Sequence, residues 1–575
     1  MKRIARILSI LLLLAALLSG TVGCIFSITP GSAYSPILTN RNPYKNLSGD
    51  IDVGDKTLVY QWSKENDDDL YAKIDELNAL IADGTDRAGF LSAYAEAEAM
   101  LGAVTTQYQL AYIEYCLLGS SAEAEENYTY ISDLRQDMVQ KLVSMYQTIY
   151  DSPFRDTFYD GWSEEDIRSA LDQSAMYTDA LTELNKKDNA YLVAYRALNV
   201  GTDAAKIREL YLEFAKNKNE IARALGYDNY MEYAYESVYG RDYTPEDAET
   251  VVAFNRTYLT PLIEKIYDAF DEDYSADENT MMQATAVLGN SSFRSYEARI
   301  WLRKYLTALD DDAYSLYKKF NEQGNYFISS DSDSYAGAFT WYLEGKNKPI
   351  MYFGPDYQNI FTFVHEYGHY MSAIRSESDC MDVMETQSQA NEMLFCRYLD
   401  TLYGEKVGQI VSEYQLFDAL FGIAQQLIVN DFETYVYTHL DTIAADDLDN
   451  IYKASVMKIF GDTKLSAENE GDPMTGYDMM KYVMGAPPEI YWYYVAIESP
   501  GYYVSYATSR LMALELFAKS ADGFDAAADT YMTLVNAKNK PFCEVMQSCG
   551  LSDPFDEETY RLIASVIQNS YLAGR

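Results

Sequence analysis

The period of the apolar residues is what most constrains this chain. From about residue 51 to 325, and again from about 357 to the end, apolar side chains recur three and four positions apart, as in YAKIDELNALIADG and IRELYLEFAKNKNEIARALGYDN. That spacing lines one face of a helix, and the glycines near the ends are where a helix can stop. TPEDAETVV opens on Thr244 as a cap with Pro245 in the first turn, where a missing N–H costs nothing. With only 14 prolines in 575 residues and no shift of composition along the way, the chain reads as one large, mainly α unit.

One interval breaks the helical period. SYAGAFTWYLEGKNKPIMYFGPD, residues 334–356, carries two short apolar-aromatic runs around a polar, Gly-containing turn. This predicts a β-hairpin. Its second strand ends just before IFTFVHEYGHYMSA, residues 360–373, which holds two of the chain's three histidines. His365 and His369 stand four apart with Glu366 between them. On a helix such a pair projects from one face and can share a metal ion, and a glutamate beside it reaches a water on that metal. Zinc suits imidazole ligands, and a catalytic site adds a third protein ligand while leaving one position open.

The third ligand must come from a segment that turns back. SESDCMDV supplies a polar turn, and METQSQANEMLFCRYLDTLYG predicts a second helix ending at Gly404. Glu385 stands in its first turn, with Ser388 and Glu392 three and seven residues further on the same face. Two carboxylates and a hydroxyl on an otherwise apolar helix fit one metal ligand and an outer partner. Cys380 and Asp382 are the alternative ligands.

HEYGH followed by ETQSQANE resembles the oligoendopeptidase F and thimet oligopeptidase family of zinc metallopeptidases. The resemblance implies one zinc per chain held by His365, His369 and Glu385, with Glu366 as catalytic base and Glu392 and Ser388 outside the ligands. NKPIMYFG looks like the family's strand that pairs with substrate backbone, so Gly337, Ala338, Phe339, Tyr352 and Gly354 are substrate-binding candidates. IESPGYYVSYATSRLMALELF, residues 497–517, resembles a tyrosine-rich segment whose phenols donate to the oxyanion of the scissile carbonyl. Tyr502 is the first candidate there, followed by Tyr503 and Tyr506, with Pro500 and Gly501 as a hinge. The chain departs from the family in having no histidine between Tyr482 and Tyr502. The remaining one, His439, lies far upstream and reads as a packed or surface residue.

The fold implied is two helical lobes around a deep channel, with a small sheet beside the active-site helix. Residues 51–330 would be a mainly helical N-terminal part and 331–575 the catalytic part of one unit. The activity implied is metalloendopeptidase action on short unfolded peptides. A non-catalytic peptide-binding lipoprotein and a carboxypeptidase-like exo-cleaver of the same fold are the rival readings.

The N-terminus reads as an address. Lys2, Arg3 and Arg6 precede an apolar run from Ile7 to Leu18, and small residues lead to Cys24. This predicts a lipoprotein signal peptide over 1–23, lipid on Cys24, and a Ser-, Pro-, Asn- and Gly-containing tether over 24–50. An uncleaved membrane anchor and an unmodified cysteine are the alternatives, and each places the remainder outside the cytoplasmic membrane. Five other cysteines cannot all pair within the chain and read as free thiols. A net charge of −43 would repel phosphates, which argues against a nucleic-acid partner.

Overall fold

The computed structural model describes residues 36–573 except 40, 41, 48, 163, 176–178, 197, 291, 379, 462–474 and 498. The signal peptide and Cys24 lie outside the described residues, as does much of the tether. No helix among the described residues is long and apolar enough to cross a membrane.

The chain forms two compact units. One is built from Lys186–Lys318 and Gln358–Arg575, the other from the described residues up to Asn185 together with Lys319–Tyr357. The expectation of one unit with a seam at 330/331 is corrected here: the N-terminal part divides near residue 185, and its second half joins the catalytic part. Both units are mainly helical, so composition does not change at the boundary.

In the second unit the long helices α1 (Glu65–Asp83), α2 (Arg87–Leu117) and α3 (Ala122–Tyr150) accompany a four-stranded sheet. The strands are β1 (Ile51–Val53), β2 (Tyr326–Ser329), β3 (Ala338–Leu343) and β4 (Lys348–Phe353), in the order β1-β2-β4-β3. β3 and β4 are the predicted hairpin, in register from Ala338 opposite Phe353 to Leu343 opposite Lys348. β2 and β4 run parallel, β1 and β2 antiparallel.

Two substrate-binding candidates are corrected by this packing. The Phe339 and Tyr352 rings stack at 4.9 Å inside the unit's core, and the Tyr352 hydroxyl donates to the Tyr335 carbonyl at 2.8 Å. Their side chains are therefore committed. Gly354 and Gly337 do permit close approach, but of the unit's own chain: a Cβ at Gly354 would lie 2.1 Å from the Tyr335 carbonyl oxygen, and one at Gly337 2.4 Å from the Tyr335 hydroxyl. What remains of that expectation is the backbone of β3, which begins at Ala338 and forms an edge of the sheet.

In the first unit the Thr244 cap forms as predicted, with Thr244 and Asp247 exchanging side-chain and backbone hydrogen bonds. The helix that follows is interrupted by a π-helical turn at Asn255–Leu259, just before Pro261, which has no N–H for a continuous ladder. The core helices are α4 (Ile360–Arg375), α5 (Met381–Tyr403), α6 (Glu405–His439) and α7 (Val504–Lys519). α5 packs against the other three. Every residue from Asp382 to Asn391 is buried although most are polar. Buried polar groups need partners, and several here have them: Gln387 Nε2 donates to the Leu534 carbonyl at 2.8 Å, and Asn391 Nδ2 to the Val364 carbonyl at 2.7 Å.

Candidate metal centre

The predicted helix around HEYGH is α4. Its cap is Asn359, whose side chain accepts the Thr362 N–H. The three residues after His365 include Gly368, and the reason is steric. A Cβ there would lie 2.7 Å from the Ser388 Cα and 2.8 Å from the Gln387 carbonyl oxygen. The backbones of α4 and α5 thus meet at Gly368, and their contact brings Glu385 opposite the two histidines.

The donor atoms of His365, His369 and Glu385 all lie within 4.8 Å of one another. Glu385 Oε2 is 3.9 Å from His365 Nε2 and 3.7 Å from His369 Nε2. The histidine rings are 5.0 Å apart. His369 is fully buried, and neither ring nitrogen has a hydrogen-bond partner. Leaving such a group unsatisfied costs about 1–3 kcal/mol, and a metal ion between these donors would satisfy Nε2, the nitrogen that faces Glu385. Two imidazoles and a carboxylate are a catalytic zinc donor set, so the residues fit the metal that the sequence implies.

The surroundings tune each ligand. Glu392 bonds His365 Nδ1, which fixes the ring and leaves Nε2 toward Glu385. Burial lowers the His365 pKa, but Glu392, Glu366 and Glu385 outweigh it and hold the ring at about 9. Burial and the facing His365 push His369 well below its ordinary value, so it is neutral. Burial pushes the Glu385 carboxyl up, while His365, Tyr502 and Ser388 pull it back. The Ser388 hydroxyl donates to the Glu385 carbonyl at 2.9 Å. Glu366 is buried on α4 next to His365.

The alternative ligands are otherwise engaged. Asp382 accepts from Tyr243 and Ser505, each at 2.7 Å. Burial holds the Cys380 thiol at about 12.

Tyr502 does reach the site. Its hydroxyl donates to Glu385 Oε1 at 3.0 Å, which leaves Oε2 as the oxygen nearer the histidines. A phenol carries one proton, so while it makes this bond it cannot donate to an oxyanion. On a continuous helix, successive side chains are about 100° apart, which would turn Tyr503 away from Tyr502 and Tyr506. α7 begins only at Val504, however, and the three rings cluster, with Tyr502 5.1 Å from Tyr506 and Tyr503 6.5 Å from Tyr506. The expected hinge at Gly501 adopts φ 76°, and its N–H donates to Glu433 at 3.1 Å. His439 is exposed and stacks on Tyr435 at 4.2 Å. Sequence reasoning missed Arg241 and Glu433, although the lone arginine in YAYESVYGRDY, set among tyrosines, was a usable clue.

No family model and no curated protein sequence matches this chain. Solved structures do. PZ peptidase A with an inhibitor matches with a TM-score of 0.66 at 16% identity, over 88% of this chain and 97% of that one. A Bacillus anthracis protein described as an oligoendopeptidase F matches with a TM-score of 0.67 at 14% identity, over 89% and 97%. Oligoendopeptidase-F from Enterococcus faecium gives 0.55 at 13%, over 88% and 96%. The chain therefore has the fold of the oligoendopeptidase F and PZ peptidase structures, the family that its HEYGH and ETQSQANE segments resemble.

Proposed function

We propose that this protein is a zinc-dependent endopeptidase that hydrolyses short, unfolded peptides. The observation that carries the reading is His369, buried with both ring nitrogens unpartnered and facing Glu385 and His365. His365, His369 and Glu385 would hold the metal. Bound there, zinc would supply Lewis acidity, polarising a carbonyl and bringing the pKa of a water to about 7.

The chain's own residues do the rest. Glu366 accepts the proton of the attacking water and delivers it to the leaving amine, a role for a carboxylate beside the ligands rather than among them. Glu392 holds His365 in the tautomer that presents Nε2. Tyr502 orients Glu385 by donating to Oε1. As a terminal strand of the sheet, β3 offers backbone groups of the kind that add a peptide as a further strand.

The N-terminal pattern supports secretion with lipid on Cys24, which would tether the peptidase outside the cytoplasmic membrane. The test of the activity is a peptide mixture followed by mass spectrometry, with and without a chelator. Internal cleavage that the chelator abolishes and zinc restores is expected. Binding of peptides without cleavage would favour the non-catalytic reading, and trimming from one end only would favour an exopeptidase.

A further inference from the structure

Glu385 and Tyr502 are 117 residues apart in sequence, so their contact depends on how α5 meets the segment that leads into α7. A fully buried ion pair stands at that junction. Arg241 Nε lies 3.5 Å from Asp382 Oδ2, and neither side chain has any solvent exposure. Asp382 is on α5, three residues and about one turn before Glu385. Arg241 Nη2 donates to the Tyr502 carbonyl at 3.1 Å and to Ser505 Oγ at 2.7 Å. Ser505 in turn donates to Asp382 Oδ2 at 2.7 Å. One guanidinium therefore touches both halves of the junction.

The backbone of the tyrosine and of the two residues before it is also held by side chains. Tyr239 donates to the Pro500 carbonyl at 3.1 Å, Glu433 accepts the Gly501 N–H at 3.1 Å, and Arg241 holds the Tyr502 carbonyl. The guanidinium lies between the Tyr235 and Tyr239 rings, at 4.4 and 4.6 Å. Tyr235 lies within a π-helical turn at Ala234–Val238 and Tyr239 directly follows it, a distortion that recurs at functional sites.

A buried ion pair is a poor device for stability, because desolvating two charges offsets their attraction, and apolar replacements are often as stable. In some proteins such a pair instead fixes one register against its alternatives. We propose that Arg241, paired with Asp382, is a positioning residue that sets the Tyr502 phenol against the Glu385 carboxylate and so holds the third ligand in its metal-binding orientation. This rests on the metallopeptidase reading above.

The test compares the full-length parent with the double variant Arg241→Met/Asp382→Leu, which removes both charges together and leaves no buried charge uncompensated. Zinc affinity is measured by competition with a chromophoric chelator, the metal geometry by the visible spectrum of the cobalt-loaded protein, and kcat and KM on one peptide. A parent that binds no zinc, or binds it and cleaves nothing, refutes the functional reading. A parent with no zinc overturns the positioning role as well. With a zinc-binding parent, the clamp is judged on the variant. A folded variant with an altered cobalt spectrum and zinc binding weaker by about tenfold or more supports it, as does a fall in kcat at unchanged KM. A folded variant whose cobalt spectrum is unchanged, and whose zinc affinity and kcat stay within about twofold of the parent, overturns it. Should the double variant fail to fold, Ser505→Ala decides on the same criteria, since it deletes only the hydroxyl that bridges Arg241 and Asp382.

Discussion

Replacing Tyr502 with phenylalanine removes one oxygen and almost no volume, from a ring that is 3% exposed. The oxygen lost is the donor to Glu385 Oε1, 3.0 Å away, on a carboxylate that is itself 1% exposed. Hydrogen bonds to charged groups contribute about 1.5–3 kcal/mol, and more is lost when the charge left behind is buried. Burial already raises the Glu385 pKa and the phenol opposes that rise, so without it the carboxyl holds a proton more tightly and turns more freely. Zinc must then displace that proton and re-orient the ligand. The expected cost is about ten- to hundredfold in zinc affinity, the range found when a ligand's outer partner is removed. The assay is chelator competition at fixed pH, with the melting temperature of the metal-free variant as a control for folding. Zinc affinity within about threefold of the parent, together with a large loss of kcat, would refute the reasoning and return Tyr502 to the transition state as an oxyanion donor.

Zinc affinity should rise with pH by at least about tenfold per unit up to pH 9, because His365, held at about 9 by Glu392 and its neighbours, must lose a proton to bind metal. Glu392→Gln should move that plateau to lower pH, and a pH-independent affinity between about 6.5 and 9 would contradict the assignment. Glu433, fully buried on α6, has its carboxyl pushed up to about 8 by burial. Its proton therefore stabilises the folded state below the ordinary carboxylate range, and that stability is lost as pH rises through about 8. Glu433→Gln keeps an acceptor for the Gly501 N–H without ionising, so its melting temperature should gain on the parent's between about pH 5 and 8, and parallel profiles would count against the assignment. Cys24→Ala should release the protein from membranes or leave it unprocessed, whereas unchanged membrane association with an intact N-terminus would point to an uncleaved anchor.

Local patterns were the most readable part of the sequence. The i, i+4 histidines, the hairpin before them and the returning helix that ends at Gly404 all follow from spacing and turn chemistry, and each forms. Gly368 could be read as a point of close approach, but that the visitor is the α5 backbone needed the fold. The two-unit division was not legible, because Lys319–Tyr357 joins a unit begun more than a hundred residues earlier, and no composition change marks that return. Phe339 and Tyr352 looked like substrate contacts because strand patterns show which residues alternate and not which face packs inward. Arg241 and Glu433 escaped because their roles depend on contacts with Tyr502 and Gly501, 261 and 68 residues away in the chain.

The most direct measurement loads the parent and Glu366→Gln with zinc, determines metal content, and follows cleavage of one internally quenched peptide. The account predicts about one zinc per chain in both proteins, bound through His365, His369 and Glu385. It also predicts turnover in the variant lower by about a hundredfold or more, because a base has been removed and no ligand has. Zinc lost from the variant would put Glu366 among the ligands. Turnover within about tenfold of the parent, with zinc retained, would mean that Glu366 is not the base.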